Sequence, residues 1–349
     1  MAVIDADAHV IESERTWDYL EKGERRFRPL TIRIADGVGA SGESDHWVID
    51  GRVIRRGPAD IDGVKRALRE MDDIEGRLHH MDELGTDIQV LFPTLFLRPV
   101  TTRPEVEVAL YRSYNRWLAD IWKRGGGRLR WAVAAPTRNM DAAIEELRYG
   151  KEHGACAVFA RGIEDDRIPS DPSFFPLYEA AEALDLPICI HAATGSFAIH
   201  DAFAIDTGMW RFKLPGIHAF QAFLTGGIPD RFPSLRFGFV ELSAQWVPYA
   251  VHHFVRQQEK RAGKLLDRHD LVRSSRFFVA CQTDDDIPYV LTYTGEGNMV
   301  MGTDYGHADT SSELEALQRL HEVPGVSQAA ARRILDDNPR ALFGLGSPE

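Results

Sequence analysis

Short apolar runs and longer amphipathic stretches alternate along most of this chain, and each change of period marks a change of element. Residues 87–92, 129–134, 156–160, 186–190, 235–240, 276–280 and 298–303 are short runs rich in apolar residues, the pattern of strands buried on both faces. Residues 3–4 begin a further strand, with 5–9 as its mouth. Between the runs, residues 65–84, 104–123, 141–152, 172–184, 216–225, 245–258 and 285–293 read as helices, three of them closing on glycine at 85, 125–127 and 154. Strands spaced by helices predict a parallel sheet, and eight such units favour a closed (β/α)8 TIM barrel, an α/β fold, over an open sheet. Residues 311–320, 327–336 and 339–343 read as extra C-terminal helices. Two stretches break the alternation. Residues 25–62 are glycine-bearing, with a hairpin over 46–57 turning at Asp50-Gly51, and read as an insertion over the barrel mouth, either a structural cap or a substrate-contacting element. Residues 191–215 form a connection long enough for a lid or an interface. The whole reads as one domain, 1–349, carrying that insertion.

Composition narrows the function. Acidic residues exceed basic ones by 53 − 41 = 12, giving a net charge of −12, which argues against a general nucleic-acid binder or an anionic membrane surface as partner. The three cysteines, Cys156, Cys189 and Cys281, have no paired spacing and suggest a reducing compartment. No apolar run approaches the roughly 20 residues of a membrane span, and residues 1–10 lack the pattern of a signal peptide. The expectation is a soluble, cytoplasmic enzyme for a small molecule.

Chemistry gathers where the strands end. Asp7 and His9 follow the first strand, His191 ends the fifth, Glu241 follows the sixth and Asp304 the eighth. In an extended segment Asp7 and His9 share one side, so both can reach one ion. Each signal is weak alone; their conjunction is not, because C-terminal strand ends converge on one site in a barrel. His307, three residues after Asp304, is placed to orient a ligand or bind substrate. Arg161, Arg98 and Arg103 follow strands and could clamp a substrate carboxylate.

Seven motifs in order, DADAHV, MDELGTDIQVLFPT, YNRWLAD, LPICIH, RFPSLRFGFVELSAQWVPY, MGTDYGH and ILDDNPRALFGL, make the chain resemble the amidohydrolase-related family over nearly its whole length. This branch of the amidohydrolase superfamily includes the aminocarboxymuconate semialdehyde and resorcylate-type decarboxylases. The resemblance implies a (β/α)8 barrel with a divalent metal, zinc first, manganese or iron as alternatives. Its ligands would fall on Asp7, His9, His191 and Asp304, with Asp304 also shuttling a proton. Two positions depart from the family pattern. Asp7 stands where a histidine is usual, and Glu241 replaces the histidine expected at the end of strand six. Glu241 is then a base, a ligand to a second metal or a structural carboxylate, and His218 could supply the missing imidazole. The implied activity is a hydrolase or non-oxidative decarboxylase acting on a small carboxylated or carbonyl-bearing, aromatic or dienoic substrate, in a homo-oligomer. Two alternatives stand beside it: a dinuclear iron or iron/manganese oxygenase on the same barrel, and a non-catalytic partner subunit.

Overall fold

The computed structural model describes residues 2–35, 43–57, 63–202 and 208–346. Within them lie eleven strands: β1 (Ile4–His9), β2 (Leu30–Ala35), β3 (Glu43–Ile49), β4 (Arg52–Arg55), β5 (Ile88–Phe92), β6 (Leu129–Ala134), β7 (Ala155–Arg161), β8 (Ile188–His191), β9 (Phe237–Val240), β10 (Phe277–Cys281) and β11 (Met299–Met301). Eight of them form one parallel sheet in the order β1-β5-β6-β7-β8-β9-β10-β11. The sheet closes on itself. Ala8 bridges Tyr305, the His9 N–H donates to the Tyr305 carbonyl at 2.7 Å, and the Asp304 N–H donates to the Asp7 carbonyl at 2.9 Å. The result is a (β/α)8 TIM barrel, and its closing seam runs between the two segments that carry Asp7, His9 and Asp304.

Local signals explain the outer ring. Pro104 opens the helix Pro104–Arg124, and the Asn139 side chain caps Met140–Glu152 by accepting from the Ala142 N–H at 3.1 Å. Barrel strands are buried almost throughout, which is why they read as continuous apolar runs. Among the described residues no helix is long and apolar enough to cross a membrane.

Several elements differ from the sequence expectation. Residues 5–9 are strand rather than mouth, because their polar side chains face a buried polar interior. The expected helix over 65–84 is two helices, Arg66–Arg69 and Ile74–Glu83. Met71 takes a positive φ of 56°, and Asp73 restarts the helix by accepting from the Gly76 N–H at 2.8 Å. That break frees the Arg69 carbonyl to accept from the Ile11 N–H, just beyond β1. The expected helix over 311–320 shrinks to Ala316–Arg319 and the short turn Leu320–Glu322. The connection after β8 carries a helix, Phe197–Ala202, and a π-turn, Met209–Lys213.

The insertion is a three-stranded antiparallel sheet, β2-β3-β4. Asp50 and Gly51, with φ of 48° and 78°, make the predicted two-residue turn. Strand β2 was not foreseen; residues 36–42 and 58–62 of the insertion lie outside the described residues. Trp47 anchors the sheet edge-on against Trp17, ring centroids 5.9 Å apart, and Arg56 pairs with Glu70 at 2.6 Å.

Asp5 stitches the seam. Its carboxylate accepts the Thr303 N–H and hydroxyl at 2.9 and 2.6 Å and the Gln89 amide at 3.1 Å, all buried. It also accepts the buried Asp7 N–H at 3.3 Å, so removing it strands four buried donors. Asp5→Ala is expected to lower the unfolding free energy in urea titration by about 2–3 kcal/mol, with Asp5→Asn losing less. A loss under about 0.5 kcal/mol would contradict this role.

Candidate metal centre

Four segments converge inside the barrel mouth. β1 delivers Asp7 and His9, β8 ends in His191, Glu241 follows β9, and the turn after β11 presents Asp304 and His307. His9 Nε2 lies 3.4 Å from Asp7 Oδ1, 3.4 Å from Asp304 Oδ1 and 3.8 Å from Glu241 Oε2. His191 approaches Asp7 Oδ1 at 3.2 Å through Nε2 and Glu241 Oε2 at 3.3 Å through Nδ1. His307 Nδ1 is 2.7 Å from Asp304 Oδ1. Ligand-type atoms of Asp7, His9, His191 and Glu241 all lie within 4.8 Å of one another, and so do those of His9, Glu241, Asp304 and His307.

Hydrogen bonds outside the cluster set the imidazole tautomers. The other ring nitrogen of His9, Nδ1, meets the Pro93 carbonyl at 3.2 Å; a carbonyl only accepts, so Nδ1 carries the proton and Nε2 turns a lone pair inward. The Thr94 hydroxyl donates to the Val10 carbonyl at 2.8 Å. It must therefore accept from His307 Nε2 at 2.9 Å, which leaves the Nδ1 lone pair facing Asp304. The centre is thus crowded with acceptors: His191 Nε2 meets Asp7 Oδ1 at 3.2 Å, and the remaining inward carboxylate oxygens and imidazole nitrogens face one another without a protein hydrogen bond. His9 Nε2, His191 Nδ1, Glu241 Oε2, both Asp304 oxygens and His307 Nδ1 are buried with no hydrogen-bond partner. Such an arrangement is costly on its own, and a divalent cation resolves it. Oxygen and imidazole donors without a thiolate fit zinc, manganese or iron. The residues fit a metal.

Electrostatics agree. Burial pushes the Glu241 and Asp304 carboxyls well above the usual carboxylate range, and the charges of Asp304 and Asp7 on the first, and of Asp7 and Asp309 on the second, push further. Burial also raises Asp7, but the His191 and His9 imidazoles outweigh it and hold Asp7 below that range. Burial, aided by the His307 charge, drives His9 down to about 3, so it is neutral at ordinary pH. Glu241 and Asp304 both have positive φ, 60° and 52°, a backbone conformation that non-glycine residues seldom hold without compensation.

The supporting residues are mostly ones that sequence patterning passed over. Asp5 holds Thr303 beside Asp304. Gly302 is obligatory: a Cβ there would stand 2.2 Å from Asp7 Cβ. Asp285 pins the loop after Glu241 by accepting the Ala244 and Gln282 N–H groups, each at 2.8 Å. Asp5 and Gly302 were visible within the motifs DADAH and MGTD; Asp285 and the Pro93 carbonyl carried no local signal.

Two expected site residues fall elsewhere. His218 is exposed on the helix Leu214–Thr225, outside the cluster; the third imidazole is that of His307. Its place on an amphipathic helix turns it to solvent. Arg161 is buried and already paired twice with Glu164, Nε to Oε1 at 2.8 Å and Nη2 to Oε2 in a short contact, so it is not a free carboxylate clamp. Arg103 pairs with Asp50 at 3.0 Å and with Glu105.

The amidohydrolase family profile matches residues 4–345. The chain is 22% identical over 297 residues to 2-amino-3-carboxymuconate-6-semialdehyde decarboxylase of Dictyostelium discoideum, covering 82% of this chain and 81% of the relative. Its fold is similar to that of an amidohydrolase from Mycobacterium avium subsp. paratuberculosis, with a TM-score of 0.77, 21% identity and coverage of 98% and 99% of the two chains. It is also similar to 5-carboxyvanillate decarboxylase of Sphingomonas paucimobilis, with a TM-score of 0.70, 19% identity and 99% coverage of each chain. With the profile spanning nearly every residue and the barrel closing around a buried carboxylate–imidazole cluster, the chain belongs to the amidohydrolase family of metal-dependent enzymes.

Proposed function

We propose that this protein is a metal-dependent non-oxidative decarboxylase, or a hydrolase, of a small unsaturated or aromatic carboxylic acid, with manganese or zinc as its cation. The observation that carries this reading is the set of buried ligand-type atoms of His9, His191, Glu241 and Asp304 that have no hydrogen-bond partner and gather around Asp7. Relatives support the substrate class. The Dictyostelium relative is a decarboxylase of an unsaturated amino-carboxy acid by name, and a 5-carboxyvanillate decarboxylase of the same fold was crystallised with manganese and a nitro-substituted hydroxymethoxybenzoic acid.

When bound, the cation supplies Lewis acidity toward a substrate oxygen. Asp7, His9 and His191 would hold it from the barrel side, with Glu241 or Asp304 completing the set. Asp304 stands where a proton can be held at Oδ and passed on, and its neighbour His307 keeps Nε2–H on the Thr94 hydroxyl, so the imidazole orients Asp304 through Nδ1. In decarboxylation Asp304 delivers a proton to the carbon that loses the carboxylate; in hydrolysis it removes one from the attacking water. Glu241 replaces the histidine that the family pattern has there, and its inward oxygen sits 3.3 Å from His191 Nδ1. Glu241 would therefore help to hold the cation beside His191.

A second reading rests on the second tetrad. Glu241 Oε2 belongs to both groups, so one cation on Asp7, His9 and His191 and another on Asp304 and His307 could share it. Two irons, or iron with manganese, and oxygen consumption would decide for an oxygenase.

Two outcomes follow. Burial and like charges favour the protonated forms of Glu241 and Asp304, and a cation competes with those protons, so affinity should rise with pH. Chelator-competition titrations at pH 6, 7 and 8 should show manganese affinity rising about tenfold per pH unit for each proton displaced. Affinity independent of pH would sink the account of the two raised carboxyls. At saturating manganese, Asp304→Asn should cut carbon dioxide release from an active acid by about 10²- to 10⁴-fold with the fold intact. Full turnover in that variant would remove Asp304 from the chemistry.

A further inference from the structure

A cavity of about 360 Å³ opens beside the metal centre, within the size range of small-molecule sites. Its walls include Trp47 and Arg56 from the insertion, Glu12 after β1, and Thr94, Leu95 and Arg98 after β5. Thr94 joins it to the centre, because the hydroxyl that lines the cavity also accepts from His307 Nε2 at 2.9 Å.

The charged groups in this wall are not equally engaged. Arg56 is spoken for by Glu70 at 2.6 Å. Both Glu12 oxygens accept backbone N–H groups, from Thr94 at 3.1 Å and Leu95 at 2.8 Å. Arg98 differs. Its Nε is buried without a hydrogen-bond partner, and among the described residues no carboxylate stands within ion-pair distance of its guanidinium. Burial, with the charge of Arg211 behind it, lowers its pKa to about 10, so it remains a cation at neutral pH. A half-buried cation with no counter-ion among the described residues, on the wall of a cavity that also offers the apolar side chains of Trp47 and Leu95, is suited to receive an organic anion. Arg161 gains a role from the same geometry. Locked to Glu164, it donates through Nη1 to the Phe96 and Arg98 carbonyls, each at 3.4 Å, and so fixes the loop from which Arg98 projects.

We propose that Arg98 binds the carboxylate of a small planar acid in this cavity, with Arg161 as its positioning residue and the reacting end of the acid turned toward Asp304 and His307. The proposal rests on the metal-dependent reading for what becomes of the acid, and on the cavity alone for how the acid is held. The test is calorimetric titration of the full chain, loaded with manganese, with benzoate and with isophthalate, and with benzamide as the neutral control. Isophthalate should bind the wild type, at least about tenfold more weakly to Arg98→Gln, and with intermediate affinity to Arg98→Lys, while metal content per chain stays equal in all three. Equal affinity for isophthalate in wild type and Arg98→Gln would overturn the proposal, as would a wild type that binds neither acid. Should Arg98→Gln fail to fold, phenylglyoxal labelling of the wild type replaces it. Saturating isophthalate should then protect Arg98 in the peptide map, and unprotected labelling would overturn the proposal. A chain that takes up no metal yet loses isophthalate on Arg98→Gln would sink the metal-dependent reading and leave this one standing.

Discussion

The organising constraint in this molecule is the repulsion among buried acceptors at the barrel mouth. Three carboxylates and three imidazoles crowd into one pocket, and most of their inward-facing atoms have no hydrogen-bond partner. The Pro93 carbonyl takes the proton side of His9, and the Thr94 hydroxyl takes that of His307. Left alone, such a cluster disfavours the folded state by desolvation and like-charge repulsion; a cation reverses the sign of both.

Much of the surrounding structure serves to keep that cluster in place. Barrel closure brings β1 against the segment after β11, and Asp5 fastens the two by bonding Thr303. Close approach at this seam leaves room only for glycine at 302. Arg77, fully buried, reaches the His9 carbonyl at 3.4 Å and lies over the Tyr305 ring at 3.5 Å, bracing the same seam from outside. Positive φ at Glu241 and Asp304 concentrates backbone strain on the two carboxylates that face the reaction space. The insertion then lines the adjacent cavity with Trp47 and Arg56, and Trp47 packs edge-on against Trp17.

Legibility in the sequence followed the length of the signal. The barrel strands and the long helices were visible because burial on two faces or one writes itself as an apolar run or a 3.6-residue period. Asp7, His9, His191, Glu241 and Asp304 were visible because each sits at a strand end, where a barrel makes distance in sequence irrelevant. Short features were lost. Strand β2 alternates over only six residues beside a glycine-bearing stretch, and the break at Met71 depends on one cap, Asp73. His218 misled because a histidine on a helix entering the site region looks the same from sequence whether it faces in or out. Arg161 misled because its partner Glu164 is three residues on in an irregular turn, where periodicity says nothing of pairing. Thr94, Asp285 and the Pro93 carbonyl act through bonds that only the folded chain brings together.

Metal content per chain, by elemental analysis of untagged protein prepared without chelator, bears most directly on the central claim. The account predicts about one divalent cation per chain, lost in His191→Ala and restored to the stripped wild type by manganese or zinc with a rise in melting temperature. A folded wild type that holds no metal and melts at the same temperature with or without added manganese and zinc would contradict it.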